Sequence, residues 1–372
     1  MSAKSIMLCF QLVESQMSDD DVLNKLKGVP EECLPGPFID VITRNYGKSQ
    51  GYMVVGMSED GSHVTIRMYP KGLVTVDVQR LDEEDSVPDN KQTAFVKNME
   101  MRLKKYFGDL CKYSRSVLGQ IRRGEVCPYF SSGDDLLSEY RPIKLVWEKE
   151  SKWQNIKIYH SEEFGNILCL DDDLMIGESD LIYTQTLLGI GRNDFKDKTV
   201  LILGGGDGGL LYELLKMEPR HVLMVEIDEE VISACSTYMK EVCHGVMDKF
   251  EGPNYKIQIG DCMDVLRESI ASGRKFDYVI NDLTEFLVGA DNYYTYDLET
   301  SSHSLEFSMK ILNEGGKYLS RGNSLLAKAY TDKFEANVRA LQLEFRRYEA
   351  NVPSFQETYP FSERLALTLF TS

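Results

Sequence analysis

The amino-acid sequence predicts an α/β protein whose C-terminal part is a mostly parallel sheet with helices on both faces. Three observations support this prediction. From residue 197 onward, short apolar segments of β-forming residues alternate with helical segments, which is typical of a parallel sheet. The first of these segments is followed by a glycine-rich run at 204–209. A stretch with Gly, Pro and Ser residues at 124–135 separates a region of different pattern from the rest of the chain.

Residues 1–123 are predicted to form an N-terminal α+β domain. The helical spacing of apolar residues predicts one helix within 20–27 and a long helix across 91–121. Strand-like segments bounded by turn residues are predicted at five places: 5–13, 37–42, 52–57, 63–69 and 73–78. None of these predicted segments contains an obvious catalytic group.

Residues 124–180 are predicted to contain a linker and a small antiparallel β domain. The linker is the stretch that ends near residue 135. Beyond it, short segments separated by turn residues predict antiparallel strands at 143–148, 154–160 and 166–170.

Residues 181–372 are predicted to form the main α/β domain. Apolar segments predict parallel strands at 199–203, 222–226, 255–259, 276–281 and 316–320. Helices are predicted between these strands, notably at 229–240 and 300–312. The last two segments, 343–348 and 364–370, have no full helix between them and therefore predict an antiparallel hairpin at the sheet edge. Five alternating strands closed by such a hairpin resemble the Rossmann-like, seven-stranded fold of the methyltransferase type.

The composition and charge of the chain exclude several kinds of function. The 372 residues include 59 acidic and 42 basic residues, which gives a formal net charge of −17. Because nucleic-acid binding needs a basic surface, we expect no nucleic-acid partner, whereas an acidic cleft would attract a small cationic substrate. The sequence has neither an apolar stretch long enough to span a membrane nor the pattern of a signal peptide, so we expect a cytoplasmic protein without a membrane partner.

The cysteines predict neither disulfides nor a metal site. The eight cysteines are dispersed, without a CxxC pair and without histidine at ligand spacing. We therefore expect free thiols in a reducing compartment and no bound metal.

The glycine-rich run indicates a ligand site at the carboxyl end of the first parallel strand. Glycines let backbone amides approach a ligand at a helix N-terminus. Glu226 stands about twenty residues beyond Gly206, where an acid can accept hydrogen bonds from ribose hydroxyl groups. The spacing of Gly204, Gly206 and Gly209 also matches the dinucleotide-binding pattern, which by itself is a weak indication.

The aspartate within this run, Asp207, argues against a dinucleotide ligand. Its carboxylate would face the negative charges of a pyrophosphate, and like charges about 4 Å apart cost on the order of 4 kcal/mol at an effective dielectric constant of about 20. A nucleoside with a positive charge would be attracted instead. The alternative interpretation is that Asp207 only caps the following helix.

Two further acids follow later strands of the predicted sheet. Asp261 follows the third parallel strand, and Asp282 follows the fourth. A single acid at such a place more often caps a helix or lies on the surface. Because the carboxyl ends of parallel strands meet at one edge, however, Asp207, Glu226, Asp261 and Asp282 together predict one acidic site near the point where the strand order reverses.

Several runs of residues resemble the aminopropyltransferases, the polyamine synthases. The resemblance rests mainly on 200–209, 225–228 and 276–284. It extends over nearly the whole chain and also includes 64–73, 153–158, 178–180, 183–184, 315–318 and 352–354. Within the family, it is closest to the members that form spermine. Because those members have an N-terminal domain that resembles S-adenosylmethionine decarboxylase and serves mainly in dimerisation, the resemblance implies a homodimer formed through residues 1–123.

The resemblance implies a transfer of the aminopropyl group of decarboxylated S-adenosylmethionine to spermidine, which gives spermine and 5′-methylthioadenosine. The donor is a co-substrate, and no separate cofactor is implied. Asp282 would be the base that deprotonates the acceptor, and Asp207 would bridge the ammonium group of the donor and the acceptor amine. The residues implied in donor binding are Gln154, Asp207, Glu226, Asp228, Asp261 and Cys262, and those implied in polyamine binding are Tyr183, Asp207, Asp282, Phe355 and Glu357.

Departures from the family pattern leave the acceptor open. Phe355 stands where the family usually has tyrosine, and the stretches 285–296 and 358–360 diverge. The alternatives are the same chemistry on another acceptor, as in spermidine synthase or thermospermine synthase, an S-adenosylmethionine methyltransferase, and a non-catalytic dimerising homologue. Asp207 argues against the methyltransferase, and the presence of Tyr183 and Asp282 argues against the non-catalytic homologue.

Overall fold

The structure is a computed structural model that describes residues 2–13, 18–34, 38–47, 49–82, 89–116, 121–123, 126–131, 137–140, 143–283, 298–322 and 345–365. The chain divides into two compact units, Met1–Cys127 and Pro128–Ser372. The predicted subdivision at residue 180 lies inside the second unit and stays a prediction.

The first unit contains an antiparallel sheet and helices that share a core with it. The described helices are α1 (Asp19–Lys27), α2 (Val29–Cys33) and α3 (Asp89–Phe107). The described strands are β1 (Ser2–Leu12), β2 (Phe38–Asn45), β3 (Tyr52–Ser58), β4 (His63–Met68), β5 (Leu73–Asp82), β6 (Cys111–Ser116) and β7 (Ile121–Arg123). They pair in the order β2-β3-β4-β5-β1-β6, and β7 also pairs with β1.

The core of the first unit follows the periodicity of its sequence. Val64 and Ile66 of β4 are fully buried, because alternate side chains of a strand point to the same face. The buried residues of α3 recur at the three- and four-residue spacing of a helix face: Val96, Met99, Leu103 and Phe107. Both sets belong to one hydrophobic cluster, which joins the sheet to the helix.

The long helix predicted at 91–121 ends at Phe107 in the structure. Gly108 has a φ of 60°, a left-handed conformation that favours glycine and stops a helix. A 3₁₀ turn at Gly108–Leu110 follows, and then β6 pairs with β1. The prediction was wrong for its C-terminal part, because this pairing with a distant strand, rather than a local pattern, places 111–116 in the sheet.

The second unit begins with two small antiparallel sheets. In the first, β8 (Tyr129–Ser131) pairs with β9 (Leu137–Glu139). The second is a four-stranded sheet in chain order, which contains β10 (Ile143–Glu150), β11 (Asn155–Ser161), β12 (Gly165–Leu170) and β13 (Asp173–Gly177). The predicted small antiparallel sheet is confirmed, and β13 is an additional strand.

The main sheet of the second unit lies C-terminal to these elements. Its described strands are β14 (Thr199–Gly204), β15 (His221–Glu226), β16 (Glu251–Gly252), β17 (Tyr255–Ile259), β18 (Phe276–Asp282), β19 (Leu312–Arg321), β20 (Phe345–Val352) and β21 (Glu357–Leu365). They pair in the order β16-β17-β15-β14-β18-β19-β21-β20. The pairs from β17 to β19 are parallel, and the edge pairs are antiparallel. The predicted Rossmann-like, seven-stranded sheet is confirmed, with the two-residue β16 as an addition at one edge.

Helices cover both faces of the main sheet. Val200 and Ile202 of β14 lie in one hydrophobic cluster, and Leu201 and Leu203 of the same strand lie in another. The first cluster includes residues of α4 (Leu181–Leu188), α5 (Gly209–Leu215), α6 (Glu229–Tyr238) and α7 (Lys240–Cys243), and the second includes residues of α8 (Cys262–Ser272) and α9 (Leu298–Lys310). Within the described ranges, no helix combines the length and apolar character needed to cross a membrane.

The antiparallel hairpin predicted at the C-terminus is present, but its first strand, Phe345–Val352, extends further than predicted and its second strand begins earlier. Its second strand is Glu357–Leu365 and not 364–370, of which residues 366–370 lie outside the described residues. Val352 pairs with Glu357, so a four-residue turn joins the strands, with a φ of 56° at Gln356. The apolar run at 364–370 suggested a strand, but this tight turn fixes the register and therefore the position of the strand.

Candidate active site

The glycine-rich loop lies at the point where the strand order of the main sheet reverses. β14 lies between β15 and β18 in the sheet. The chain order of the strands runs outward from β14 towards β17 on one side and towards β19 on the other, so the strand order reverses at β14. A Cβ atom on Gly204 would lie 2.6 Å from the backbone oxygen of Asp282, and Gly204 has a φ of 83°. Glycine at this position therefore lets the loop approach the end of β18 closely. This is the location at which open α/β sheets bind ligands.

A cavity of about 200 Å³ opens at this edge of the sheet. Seven of the predicted site residues line it together: Gln154, Tyr183, Asp207, Glu226, Asp261, Cys262 and Asp282. The wall also contains apolar side chains from the small sheet, among them Leu168, Leu170, Met175 and Ile176. The cavity therefore combines an apolar wall with several acidic groups, as small-molecule sites commonly do.

Three predicted site residues, all within the described part of the chain, do not line the cavity. Asp228 caps α6 and accepts hydrogen bonds from Ser151 (2.6 Å) and Gln154 (3.1 Å), so it holds Gln154 in place. Phe355 packs edge-on against Tyr183, with ring centroids 6.1 Å apart. Glu357 begins β21. Their predicted contacts with substrates stay predictions.

Glu226 is fixed by the backbone of the loop. Its two carboxylate oxygens accept hydrogen bonds from the amides of Gly206 (3.1 Å) and Asp228 (3.0 Å). Burial raises the pKa of Glu226 to about 7 despite these bonds. A carboxylate oxygen has two lone pairs, so each oxygen retains the capacity to accept a hydroxyl group from a ligand in the cavity.

Asp261 has the capping role that the sequence left as an alternative. Its side chain accepts a hydrogen bond from the amide of Met263 (2.8 Å) at the start of α8. It also lines the cavity, so the capping role leaves room for a contact with a ligand, and that contact stays a prediction. The adjacent Cys262 thiol has a pKa of about 12, raised mainly by burial, and it therefore remains protonated at neutral pH.

Asp282 and Tyr183 form a short hydrogen bond inside the cavity. The hydroxyl group of Tyr183 donates to Asp282 Oδ1 over 2.5 Å. Burial, and then the negative charge of Asp207, raise the pKa of the Asp282 carboxyl group, whereas the hydrogen bond from Tyr183 and the positive charge of Arg321 lower it. Burial also raises the pKa of Tyr183 well above its ordinary value, so this hydroxyl group remains a donor.

Asp207 is a second half-buried carboxylate of the cavity, beside Asp282. One of its oxygens accepts a hydrogen bond from the amide of Gly209 (2.8 Å), the first residue of α5. The helix-start contact considered from the sequence is therefore present, and the residue lines the cavity as well. Burial raises its pKa. We call Asp207 and Asp282 the acidic pair: both are half-buried, and a cation bound between them would stabilise their ionised forms.

The structure also adds polar cavity residues that the sequence reasoning missed. These are Asn281, Ser304, Tyr318, Ser320, Arg321 and Arg364. Arg321 ends β19, the fifth strand of the predicted parallel set. The rule that located Asp282, namely a polar residue at the carboxyl end of a parallel strand, would have located Arg321 too.

A metal site is absent from the part of the chain that the structure describes. No group of three or more His, Cys, Asp or Glu side chains there is arranged to hold a metal ion. The eight cysteines all lie within the described residues and form no disulfide there, and Cys127 is exposed.

A Rossmann-like sheet with an acidic, glycine-lined cavity at its switch point is typical of enzymes that bind a small ligand at the carboxyl edge of the sheet. Family models identify the class of enzyme. The spermine/spermidine synthase domain matches 180–362, the spermidine synthase tetramerisation domain matches 130–178, and the N-terminal domain of S-adenosylmethionine decarboxylase matches 42–124.

Relatives and solved structures agree as well. A polyamine aminopropyltransferase from Pyrobaculum calidifontis is 32% identical over 232 residues, which cover 60% of this chain and 76% of the relative. A spermidine synthase from Schizosaccharomyces pombe is 32% identical over 145 residues, which cover 38% of this chain and 46% of the relative. The crystal structure of a spermidine synthase from Thermotoga maritima has a TM-score of 0.51 at 20% identity, covering 66% of this chain and 80% of that chain.

The chain therefore belongs to the polyamine aminopropyltransferases, the spermine/spermidine synthase family. This confirms the resemblance and the predicted fold class. It also establishes the enzyme class, a transferase of polyamine biosynthesis.

Proposed function

We propose that this aminopropyltransferase transfers the aminopropyl group of decarboxylated S-adenosylmethionine to spermidine, forming spermine and 5′-methylthioadenosine. The observation on which the proposal rests is the acidic pair, which lies in one cavity with Tyr183 and the glycine-rich loop. Both substrates are cationic, and the cavity has two half-buried carboxyl groups with raised pKa values whose ionised forms a cation would stabilise.

The donor half of the proposed site is the edge formed by β14, β15 and β17. Glu226 would accept hydrogen bonds from the ribose, and Gln154, held by Asp228, would contact the nucleoside. Asp261 and Cys262 would contact the adenine ring at the start of α8. Asp207 would bind the ammonium group of the donor and, by charge repulsion, disfavour S-adenosylmethionine that retains its carboxylate.

The chemical step is an in-line displacement at the carbon next to the sulfonium. The lone pair of the acceptor nitrogen forms the new N–C bond, the C–S bond breaks with its electron pair passing to sulfur, and the released proton passes to Asp282. An alkyl amine with a pKa near 10.4 costs about 4–5 kcal/mol to deprotonate at pH 7. A carboxylate with a raised pKa is the better proton acceptor near neutral pH, which is the state of Asp282.

Spermidine is proposed as the acceptor because the resemblance is closest to spermine-forming members, which have a decarboxylase-like N-terminal domain. The match of residues 42–124 to such a domain supports this choice. Glu357 also supports it, because its Oε2 atom is buried and has no hydrogen-bond partner among the described residues. An ammonium group of a long acceptor that reached Glu357 past Tyr183 and Phe355 would satisfy that atom.

The proposal extends to assembly and location. We propose a homodimer formed through the first unit, Met1–Cys127. The family model of residues 130–178 is that of a tetramerisation domain, so light scattering of the whole protein would distinguish a dimer from a tetramer. A cytoplasmic location, no separate cofactor or metal, and no nucleic-acid or membrane partner complete the proposal.

Identification of the product by mass tests the proposed function. The protein is incubated with decarboxylated S-adenosylmethionine and either putrescine or spermidine. Spermine and 5′-methylthioadenosine from spermidine, with little product from putrescine, is the expected result. Spermidine as the main product from putrescine would change the assignment to spermidine synthase, and thermospermine would indicate attack by the other end of spermidine. Methylthioadenosine release that no amine stimulates would refute the proposal.

A further inference from the structure

The residue before helix α4 has a buried carboxylate that takes no part in the proposed reaction. Each oxygen of Asp180 accepts two hydrogen bonds. Oδ1 accepts from the backbone amide of Ser354 (2.8 Å) and the hydroxyl group of Ser179 (3.2 Å). Oδ2 accepts from the backbone amide of Gly177 (2.7 Å) and from the hydroxyl group of Ser354. Because an ionised carboxylate accepts about four hydrogen bonds, Asp180, which is 1% exposed, has no capacity left for a ligand.

Ser354 lies in the turn that joins β20 to β21, which spans residues 353–356. Ser354 is fully buried, and its backbone oxygen accepts a hydrogen bond from the hydroxyl group of Tyr140. A Cβ atom on Gly177 would lie 2.8 Å from the Cβ atom of Ser354, so glycine at this position lets the turn lie directly against the end of β13. The turn is therefore held at Ser354 through its backbone amide, its hydroxyl group and its backbone oxygen.

The hydrogen bonds between Asp180 and Ser354 connect two parts of the proposed acceptor path. Asp180 directly precedes α4, which has Tyr183 in its first turn. Ser354 directly precedes Phe355, whose ring packs against that of Tyr183 with centroids 6.1 Å apart. Glu357 follows three residues after Ser354, and its Oε2 atom is buried without a hydrogen-bond partner in the described part of the chain. One carboxylate thus connects the helix of Tyr183 to the turn that places Phe355 and Glu357.

We propose that Asp180 is a positioning residue for the far end of the acceptor. Through Ser354, it holds Glu357 at the distance from Tyr183 that a long polyamine spans. In this role Asp180 touches neither substrate. Loss of its hydrogen bonds lets the turn move and weakens the binding of an ammonium group far from the reacting nitrogen. The reacting end of the acceptor, beside Asp282, keeps its contacts.

This inference rests on the proposed function, in which spermidine is the acceptor and extends past Tyr183 to Glu357. The test compares spermidine with N-butyl-1,4-diaminobutane. The two amines share the aminobutyl end and the inner amine, but the second has a methyl group in place of the far ammonium group. The ratio of their affinities therefore isolates the contribution of the far ammonium group, whereas a general loosening of the site would weaken the binding of both amines equally.

The affinities are measured by calorimetry, with 5′-methylthioadenosine present, for the wild type, Asp180→Asn, Ser354→Ala and Glu357→Gln. Asp277→Asn is the matched control. Asp277 also accepts hydrogen bonds from the backbone amide and the hydroxyl group of one residue, Thr199 (2.8 and 2.9 Å), and it does not line the cavity. It lies near the start of β18, whose other end is Asp282. Circular dichroism confirms that each variant is folded.

In Asp180→Asn, the affinity ratio of spermidine to its methyl analogue should fall about tenfold. The amide nitrogen of asparagine cannot accept a hydrogen bond, so it breaks the contact with the backbone amide of either Ser354 or Gly177. Ser354→Ala keeps its backbone donor and should lower the ratio about threefold. Glu357→Gln removes the charge itself and should lower the ratio at least as much as Asp180→Asn does. Asp277→Asn should keep the ratio of the wild type.

A wild-type ratio in Asp180→Asn, or in Ser354→Ala if Asp180→Asn does not fold, would overturn the inference. A fall in Asp180→Asn without a fall in Glu357→Gln would also overturn it, because the effect would not pass through Glu357. The proposed function is judged separately, by product formation. A protein that forms spermine while Asp180→Asn keeps the wild-type ratio refutes the role of Asp180 alone. A protein whose ratios fall as expected but which transfers no aminopropyl group refutes the proposed function alone.

Discussion

Replacement of Tyr183 by phenylalanine should move the pH dependence of the reaction. In the structure, Tyr183 is buried and donates a 2.5 Å hydrogen bond to the half-buried Asp282. A hydrogen bond to a charged group contributes about 1.5–3 kcal/mol. Because this bond stabilises the ionised carboxylate, its loss should raise the pKa of Asp282 by about 1–2 units, at about 1.4 kcal/mol per unit. The base would then remain protonated to higher pH.

The assay is the pH profile of kcat/KM for the acceptor, measured as methylthioadenosine release with saturating donor. The acidic limb of the profile should lie about 1–2 pH units higher in Tyr183→Phe than in the wild type. Tyr278→Phe is the matched control, because Tyr278 donates a hydrogen bond to the backbone oxygen of Asp194 (3.0 Å) and does not line the cavity. A limb that stays in place in Tyr183→Phe would refute the assignment of Asp282 as the base that Tyr183 supports.

Other substitutions test the remaining groups. Asp282→Asn should abolish turnover while donor affinity, measured by calorimetry, remains within about threefold of the wild type; turnover near that of the wild type would contradict the role of the base. The same change should raise the free energy of unfolding in urea, without ligand, more at pH 8 than at pH 5. Folding raises the pKa of the Asp282 carboxyl group, so this group destabilises the folded wild type increasingly as the pH rises above the pKa of the unfolded state. An equal effect at both pH values would contradict the raised pKa. Asp207→Asn should weaken binding of both substrates and reduce the discrimination against carboxylated donor, and a variant that still discriminates as the wild type does would contradict the role of Asp207. Glu226→Gln should weaken the binding of a donor with ribose hydroxyl groups about tenfold and the binding of a 2′,3′-dideoxy donor less. Equal losses of affinity for the two donors would contradict the contact with the ribose.

The arrangement of the main sheet was predictable because its determinants are local. Strands of five or six apolar residues alternate with helices, and parallel strands joined by helices place their carboxyl ends at one edge. Asp207, Glu226, Asp261 and Asp282 all follow such strands, and the structure brings them to one cavity. These four acidic residues lie close together because the strands that carry them are parallel and end at the same edge, and no long-range contact is needed to bring them there.

Other features depend on contacts that no local pattern encodes. The segment 111–116 has no strong strand signal and joins the sheet by pairing with β1. The position of β21 depends on the turn at 353–356 and its pairing with β19 and β20. Whether Phe355 and Glu357 line the cavity depends on the same hairpin. In the structure, Phe355 packs against Tyr183, and neither Phe355 nor Glu357 is among the residues of the cavity wall.

The central claim is that the loop of Asp207 accommodates a positively charged donor tail and rejects a tail that also carries a carboxylate. Calorimetric titration of the wild type with decarboxylated S-adenosylmethionine and, separately, with S-adenosylmethionine tests it most directly, since the two donors differ in one carboxylate. A carboxylate about 4 Å from Asp207 costs on the order of 4 kcal/mol at an effective dielectric constant of about 20, so the decarboxylated donor should bind at least about a hundredfold more tightly. Equal affinities would contradict the claim.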